Sequence, residues 1–174
     1  TTVFEFSKTD ITGDKELEGA KLTVLDENDE IIDSWESTNK THKIEGLKVG
    51  KTYKLIEEIA PENFVKATTI EFKVENKNEV QKVHMVDKVL EVSKVDIGGN
   101  EIEGATIQIL DMDKNIIEEW VSTKEPHKVS GLEENKTYIM HEEVAAKDYV
   151  KATDVEFTVT EEKIIQHEKL VDKV

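Results

Sequence analysis

Two sets of three charged residues recur in this chain, Lys8, Glu57 and Asp87, then Lys94, Glu142 and Asp172. The residue two positions before each is apolar or aromatic (Phe6, Leu55, Met85; Val92, Met140, Leu170). On strands, each set would therefore turn one amine and two carboxyls toward an apolar interior. Burying one cation with two carboxylates leaves a net negative charge unless a proton is held. Two chemistries fit. One is a buried ion cluster, an ammonium between two carboxylates at strand ends that splay to admit water. The other is amide formation between Lys and Asp. An amine attacks only when neutral, and an acid carbonyl accepts attack best when protonated; apolar surroundings lower a Lys pKa and raise an Asp pKa, favouring both neutral forms. A Glu between them can hydrogen-bond the acid's carbonyl and shuttle the proton, its own pKa raised by burial. Folding would also replace a bimolecular encounter, an advantage of about 7–11 kcal/mol.

The elements that must position these groups are strands. In Tyr53-Lys54-Leu55-Ile56-Glu57-Glu58, alternation places Tyr53, Leu55 and Glu57 on one face, and Tyr138, Met140 and Glu142 repeat the arrangement. Glu58 and Glu143 fall on the opposite, solvated face. Lys8 follows Phe4 and Phe6, and Lys94 follows Leu90 and Val92. Val83, Met85 and Asp87 share a face, as do Leu170 and Asp172. Each set thus takes a Lys from a first strand, a Glu from a middle strand and an Asp from a last one.

That pattern is part of a duplication. Gly19 and Gly104, Trp35 and Trp120, Gly46 and Gly131, Tyr53 and Tyr138, Glu57 and Glu142, and Asp87 and Asp172 all differ by 85 positions. Lys8 and Lys94 differ by 86, because the turn at Gly98-Gly99-Asn100 is one residue shorter than that at 11–14. A period this long, occurring twice, predicts tandem domains, 1–88 and 89–174, with almost no linker. Within the first, strands are expected over residues 3–8, 20–25, 31–37, 42–44, 53–59, 69–74 and 80–86, separated by turn residues and with no sustained helical period. The fold class that follows is all-β, two tandem antiparallel β-sandwiches.

Composition narrows the function. Of the chain's residues 37% are hydrophobic and 36% charged, which suits small β units with one wet face. The formal charge is -16 and all 23 basic residues are Lys, so a phosphate-binding surface has little support and no nucleic-acid partner is expected. Cysteine is absent, which removes disulfides, thiolate metal sites and a thiol nucleophile. No apolar run approaches membrane-spanning length, and Thr1-Thr2-Val3-Phe4-Glu5 lacks the basic and apolar regions of a signal peptide. A soluble chain without membrane contact is expected, either cytosolic or cut from a longer secreted protein.

Five motifs in order carry a resemblance: Phe6-Ser7-Lys8-Thr9-Asp10, Leu17-Glu18-Gly19-Ala20, Ile31-Ile32-Asp33-Ser34-Trp35, the run from Tyr53 to Pro61, and Val83-His84-Met85-Val86-Asp87-Lys88. Together they resemble CnaB-type domains, the prealbumin-like sandwiches of Gram-positive surface adhesins and pilins, over nearly all of both units. The resemblance implies a spontaneous intramolecular isopeptide bond in each unit, Lys8 to Asp87 assisted by Glu57 and Lys94 to Asp172 assisted by Glu142, with water leaving because the acceptor is Asp. The second unit departs from the first at Ala145-Ala146-Lys147, which lacks the Pro of Ile59-Ala60-Pro61, and at Glu168, which stands in place of Val83.

The expectation is a pair of structural stalk modules of an extracellular protein on a bacterial cell surface, anchored to the wall through regions outside these residues. They would be monomeric, free of cofactors, flanked by neighbouring domains of the longer protein, and not enzymes, since each Lys and Asp reacts once. An alternative is an adhesive module that binds a host extracellular-matrix protein, to be recognised by saturable binding; an enzyme or its accessory domain would be recognised by multiple turnover. Trp35 and Trp120 read as packing residues, and His42, His84, His127, His141 and His167 as scattered surface residues without metal spacing. Asp26-Glu27-Asn28-Asp29-Glu30 and Asp111-Met112-Asp113-Lys114-Asn115 faintly resemble calcium loops but lack the sixth-position Gly, so they read as hairpin turns. Asn39 and Asn135 match a glycosylation pattern too short to carry weight.

Overall fold

Alternating Val, Ile, Thr and aromatic residues, interrupted every few positions by Gly, Asn and Asp, favour pleated strands closed by tight turns. The structure, a computed structural model, describes all residues from Thr1 to Val174, and these contain fourteen strands and no helix. The chain divides into two compact units, Thr1–Glu62 with Lys66–Lys88, and Val89–Val174 with Asn63–Val65.

In the first unit the strands are β1 (Val3–Thr9), β2 (Lys21–Leu25), β3 (Ile31–Glu36), β4 (His42–Glu45), β5 (Thr52–Ile59), β6 (Ile70–Lys73) and β7 (Gln81–Val86). They form two sheets, β4-β1-β7 and β3-β2-β5-β6. The second unit repeats this with β8 (Val89–Val95), β9 (Thr106–Leu110), β10 (Ile116–Val121), β11 (His127–Lys128), β12 (Thr137–Val144), β13 (Val155–Thr158) and β14 (Ile165–Val171), in sheets β11-β8-β14 and β10-β9-β12-β13. Both units are β-sandwiches, as the spacing predicts. One pair in each departs from antiparallel order: β1 runs parallel to β7, and β8 to β14. The reason is topological. A parallel neighbour needs a long crossover, and here everything between first and last strand serves as one, because β6 and β13 lie in the opposite sheet.

The inward faces meet in one core per unit. In the first, Phe4, Phe6, Leu22, Val24, Leu55 and Met85 are almost fully buried, and Phe72 packs against Phe4, Phe6 and Tyr53 at ring separations of 5.1, 5.5 and 5.9 Å. In the second, Leu90 and Val92 replace the two first-strand phenylalanines, beside Ile107, Ile109, Met140 and Leu170. Gly19 and Gly104 both take φ of 89°, a left-handed turn that a side chain would strain. Their N–H groups donate to the carbonyls of Ser37 and Ser122, both at 3.0 Å. Just before each turn, the N–H groups of Leu17 and Ile102 donate to the carbonyls of Lys8 and Lys94, both at 2.7 Å, which steadies the strand that carries each lysine.

Candidate functional site

Parallel pairing is what makes the first and last strands neighbours. Lys8 pairs with Met85, so Asp87, two residues further along the same face, lies beside the lysine's end of β1. The Asp87 N–H continues the ladder by donating to the Thr9 carbonyl at 3.0 Å. In the second unit Lys94 pairs with Leu170, and the Asp172 N–H donates to the Val95 carbonyl at 2.8 Å. Glu57 and Glu142 come from β5 and β12, in the facing sheets, so each set closes across the sandwich interior.

The six side chains meet in two equivalent clusters. Lys8 Nζ is in direct contact with Asp87 Oδ1 and lies 3.3 Å from Glu57 Oε2; Lys8, Glu57 and Asp87 are 2%, 1% and 0% exposed. Lys94 Nζ is in direct contact with Asp172 Oδ1 and lies 3.3 Å from Glu142 Oε2, all three again buried. Lys94 Nζ also donates to the Leu170 carbonyl at 3.2 Å. Apart from one another, Lys8 Nζ, Glu57 Oε2, Glu142 Oε2 and both carboxyl oxygens of Asp87 and Asp172 are buried without a hydrogen-bond partner. Such groups are costly to enclose, and losing the charges relieves that cost.

Electrostatics point the same way. Burial is the largest influence on Asp87 and pushes its carboxyl up to about 8; the Lys8 charge opposes this, and Glu57 adds to it. Burial likewise raises Glu142, aided by Asp172 and opposed by the Ala152 N–H and Lys94. A carboxyl in each cluster is thus driven toward holding the proton that would neutralise the group.

One contributor carries no chemistry in its side chain, and sequence reasoning missed it. The Ala67 N–H donates to Glu57 Oε1 at 2.7 Å, and the Ala152 N–H donates to Glu142 Oε1 at 2.8 Å. One oxygen of each Glu is thereby anchored while the other faces the lysine. The available signal was the identical run Lys66-Ala67-Thr68 and Lys151-Ala152-Thr153, duplicated at the same offset outside any strand.

The histidines are more engaged than scattered surface residues. His42 stacks on Trp35 at 4.0 Å and 11° and bonds Asp33 Oδ2 at 2.7 Å. His127 stacks on Trp120 at 4.2 Å and 14°, with Glu118 Oε1 3.2 Å away. The tryptophans also pack against the cores. His84 Nε2 pairs with Thr9 Oγ1 at 2.6 Å, and His167 lies 3.2 Å from Glu91. His141 lies between Asp154 and Glu143. The two acidic turns are hairpin turns: Asp26 Oδ1 accepts from the N–H groups of Asn28 and Glu30, and Asp111 Oδ1 from those of Asp113 and Asn115.

A family model, the SpaA prealbumin-like fold domain, matches the chain twice, over residues 2–89 and 88–173. The chain belongs to this family. Among solved structures, it is similar to the Bacillus anthracis TIE protein, at 22% identity over 99% of this chain and 34% of that one, with a TM-score of 0.43. It therefore spans about a third of that protein's length. It is also similar to the shaft pilin SpaA from Lactobacillus rhamnosus GG, at 12% identity over 99% of this chain and 97% of that one, TM-score 0.44. A streptococcal ancillary pilin is similar at 16% identity over 99% of this chain and 62% of that one, TM-score 0.47. No curated protein matches the chain.

Proposed function

We propose that the chain is a pair of structural stalk modules from a bacterial cell-surface adhesin or pilus protein, each sealed by its own Lys–Asp isopeptide bond. The bonds join Lys8 to Asp87 with Glu57 assisting, and Lys94 to Asp172 with Glu142 assisting. One observation carries this reading: in each unit a buried lysine Nζ touches an aspartate Oδ1, with a glutamate oxygen 3.3 Å from the same nitrogen. Family membership supports the setting, an extracellular protein on the cell surface. Neighbouring domains of a longer protein are the partners, and wall anchoring belongs to regions outside these residues.

The step is a condensation. One proton moved within the cluster converts ammonium and carboxylate into amine and carboxylic acid. The Nζ lone pair attacks Asp Cγ, forming the C–N bond, while the Glu carboxyl hydrogen-bonds the carbonyl oxygen and carries a proton from nitrogen to the departing hydroxyl. That hydroxyl leaves as water. The product amide is neutral, so a buried amine and acid are both removed. Each Lys and Asp is consumed once, so the chain turns nothing over.

Joining the first strand to the last closes a loop of about 80 residues, which by analogy with a disulfide adds about 4–5 kcal/mol through the unfolded state. A pull along the chain then passes from Lys8 directly to Asp87 and leaves the enclosed strands unloaded. The test is intact mass under denaturing conditions. The parent chain is expected at its calculated mass less two waters, with Lys8→Ala and Lys94→Ala each restoring one and lowering thermal stability. A parent chain at full calculated mass leaves only a buried ion cluster.

A further inference from the structure

Outside the two clusters, the second unit holds a charged group with no counterpart in the first. His141 Nδ1 lies 2.7 Å from Asp154 Oδ1, and His141 Nε2 lies 2.9 Å from Glu143 Oε2. Both nitrogens face carboxylate oxygens, which only accept, so both must donate; that requires the imidazolium, because neutral histidine has a single N–H. Asp154 closes a short segment with two other attachments. The Val150 N–H donates to the Lys173 carbonyl at 2.8 Å, next to Asp172, and the Ala152 N–H donates to Glu142 Oε1 at 2.8 Å. Residues 150–154 therefore link the assisting Glu, the residue after the acceptor Asp, and His141. At the corresponding first-unit positions stand Ile56 and Thr69, so this clamp belongs to the second unit alone.

We propose that His141 is a positioning residue for bond formation in the second unit: its imidazolium, by gripping Asp154, holds residues 150–154 so that the Ala152 N–H orients Glu142 toward Lys94. This rests on the isopeptide reading above. The other charges around His141 are Lys151, which opposes its protonation, Glu156 on the outward face of β13, and Glu119 on β10, which accepts from Gln108, the residue paired with His141. Asp154 first, and then Glu143, raise the imidazole above its ordinary pKa against the effects of partial burial and Lys151. A group raised on folding acts fully at acid pH and is lost as pH climbs through the raised value. The second unit thus carries at His141 a pH dependence that the first lacks, beside those of the clustered carboxyls.

Because Asp87 gives the first unit a pH course of its own, the test compares chains with and without His141 at the same pH, and first-unit water loss shows that each chain folds and links. The two-unit chain released from cell-free synthesis is shifted into buffers from about pH 6 to about pH 9. It is quenched in denaturant at intervals and cut into peptides whose masses give water loss in each unit separately. The second-unit rate of the parent, divided by that of His141→Ile at the same pH, is expected to be about 10 at the acid end and to fall toward about 1 as pH rises and Glu142 loses its alignment. His141→Lys, which keeps a cation beside Asp154, should stay about 10-fold above His141→Ile in the second unit across the range. The same pH course in His141→Ile as in the parent overturns the role of His141. Water loss in neither unit overturns the bond-forming reading, and the proposal with it. A second measurement needs no variant of His141: in the two-unit Lys94→Ala chain, which stays unlinked in the second unit, amide-exchange protection of Ala152 relative to Ala67 should fall as His141 titrates. A ratio that stays flat through that titration also overturns the proposal.

Discussion

Glu57 and Glu142 are each held by one oxygen and aimed by the other, so their loss should act on the unit that contains them and not on its neighbour. Glu57→Gln is expected to slow water loss in the first unit by about 10²–10⁴-fold and leave the second unchanged; Glu142→Gln should do the reverse, both read by peptide mass. The unlinked Glu57→Gln chain also exposes the titration of Asp87. Its carboxyl is raised chiefly by burial, to about 8 in the presence of Glu57, so it favours folding while protonated. That contribution is complete below the ordinary Asp value of about 4 and disappears as pH rises through the raised one. Denaturant midpoints of the unlinked chain should therefore fall across this window. The linked chain, whose Asp87 carboxyl is consumed, should show no such fall. The three charged residues were legible because alternation assigns every strand residue a face. The Ala67 and Ala152 amides were not, because every residue but proline has a backbone N–H and only folding says which one is spare.

The strands themselves were largely readable, since β-branched and aromatic alternation with Gly, Asn and Asp turns leaves little else for the backbone to do. Less readable was which strands would be neighbours. Parallel pairing of β1 with β7 has no local signature, yet it decides that Lys8 lies beside Asp87. The Trp35–His42 stack was hidden for a related reason, since β3 and β4 lie in different sheets and the two rings meet across the sandwich edge. That contact acts as a clasp between the sheets. Removing it by His42→Ala is expected to destabilise the first unit by about 0.5–1.5 kcal/mol, seen as a lower denaturant midpoint with no change in water loss. His127→Ala should have the same effect in the second unit, where Trp120 takes the place of Trp35.

Taken as a whole, the chain is two closed loops in series under the isopeptide reading. Covalent continuity then runs through residues 1–8, through 87–94 and past 172, while the long stretches between are bypassed. One protease cut anywhere between Thr9 and Val86 should leave a single species on a denaturing gel, heavier by the one water of hydrolysis. The same cut in Lys8→Ala should release two fragments. This outcome depends on the bond alone and not on how tightly the strands pack. The net charge of -16 also acts on the whole, as a long-range repulsion of other polyanions.

From its order of residues alone this protein is a duplicated, cysteine-free, all-β chain that sends a lysine, a glutamate and an aspartate inward in each half, because a two-residue period and an 85-residue repeat can be read along a line. Tertiary structure alone decided that the three meet. Their contact depends on a parallel pairing between strands about 80 residues apart and on a facing sheet. It also decided what surrounds them: the amide that grips each glutamate, the His–Trp clasps, and the His141 clamp found only in the second half. Those contacts depend on distances through space, which spacing along the chain does not contain.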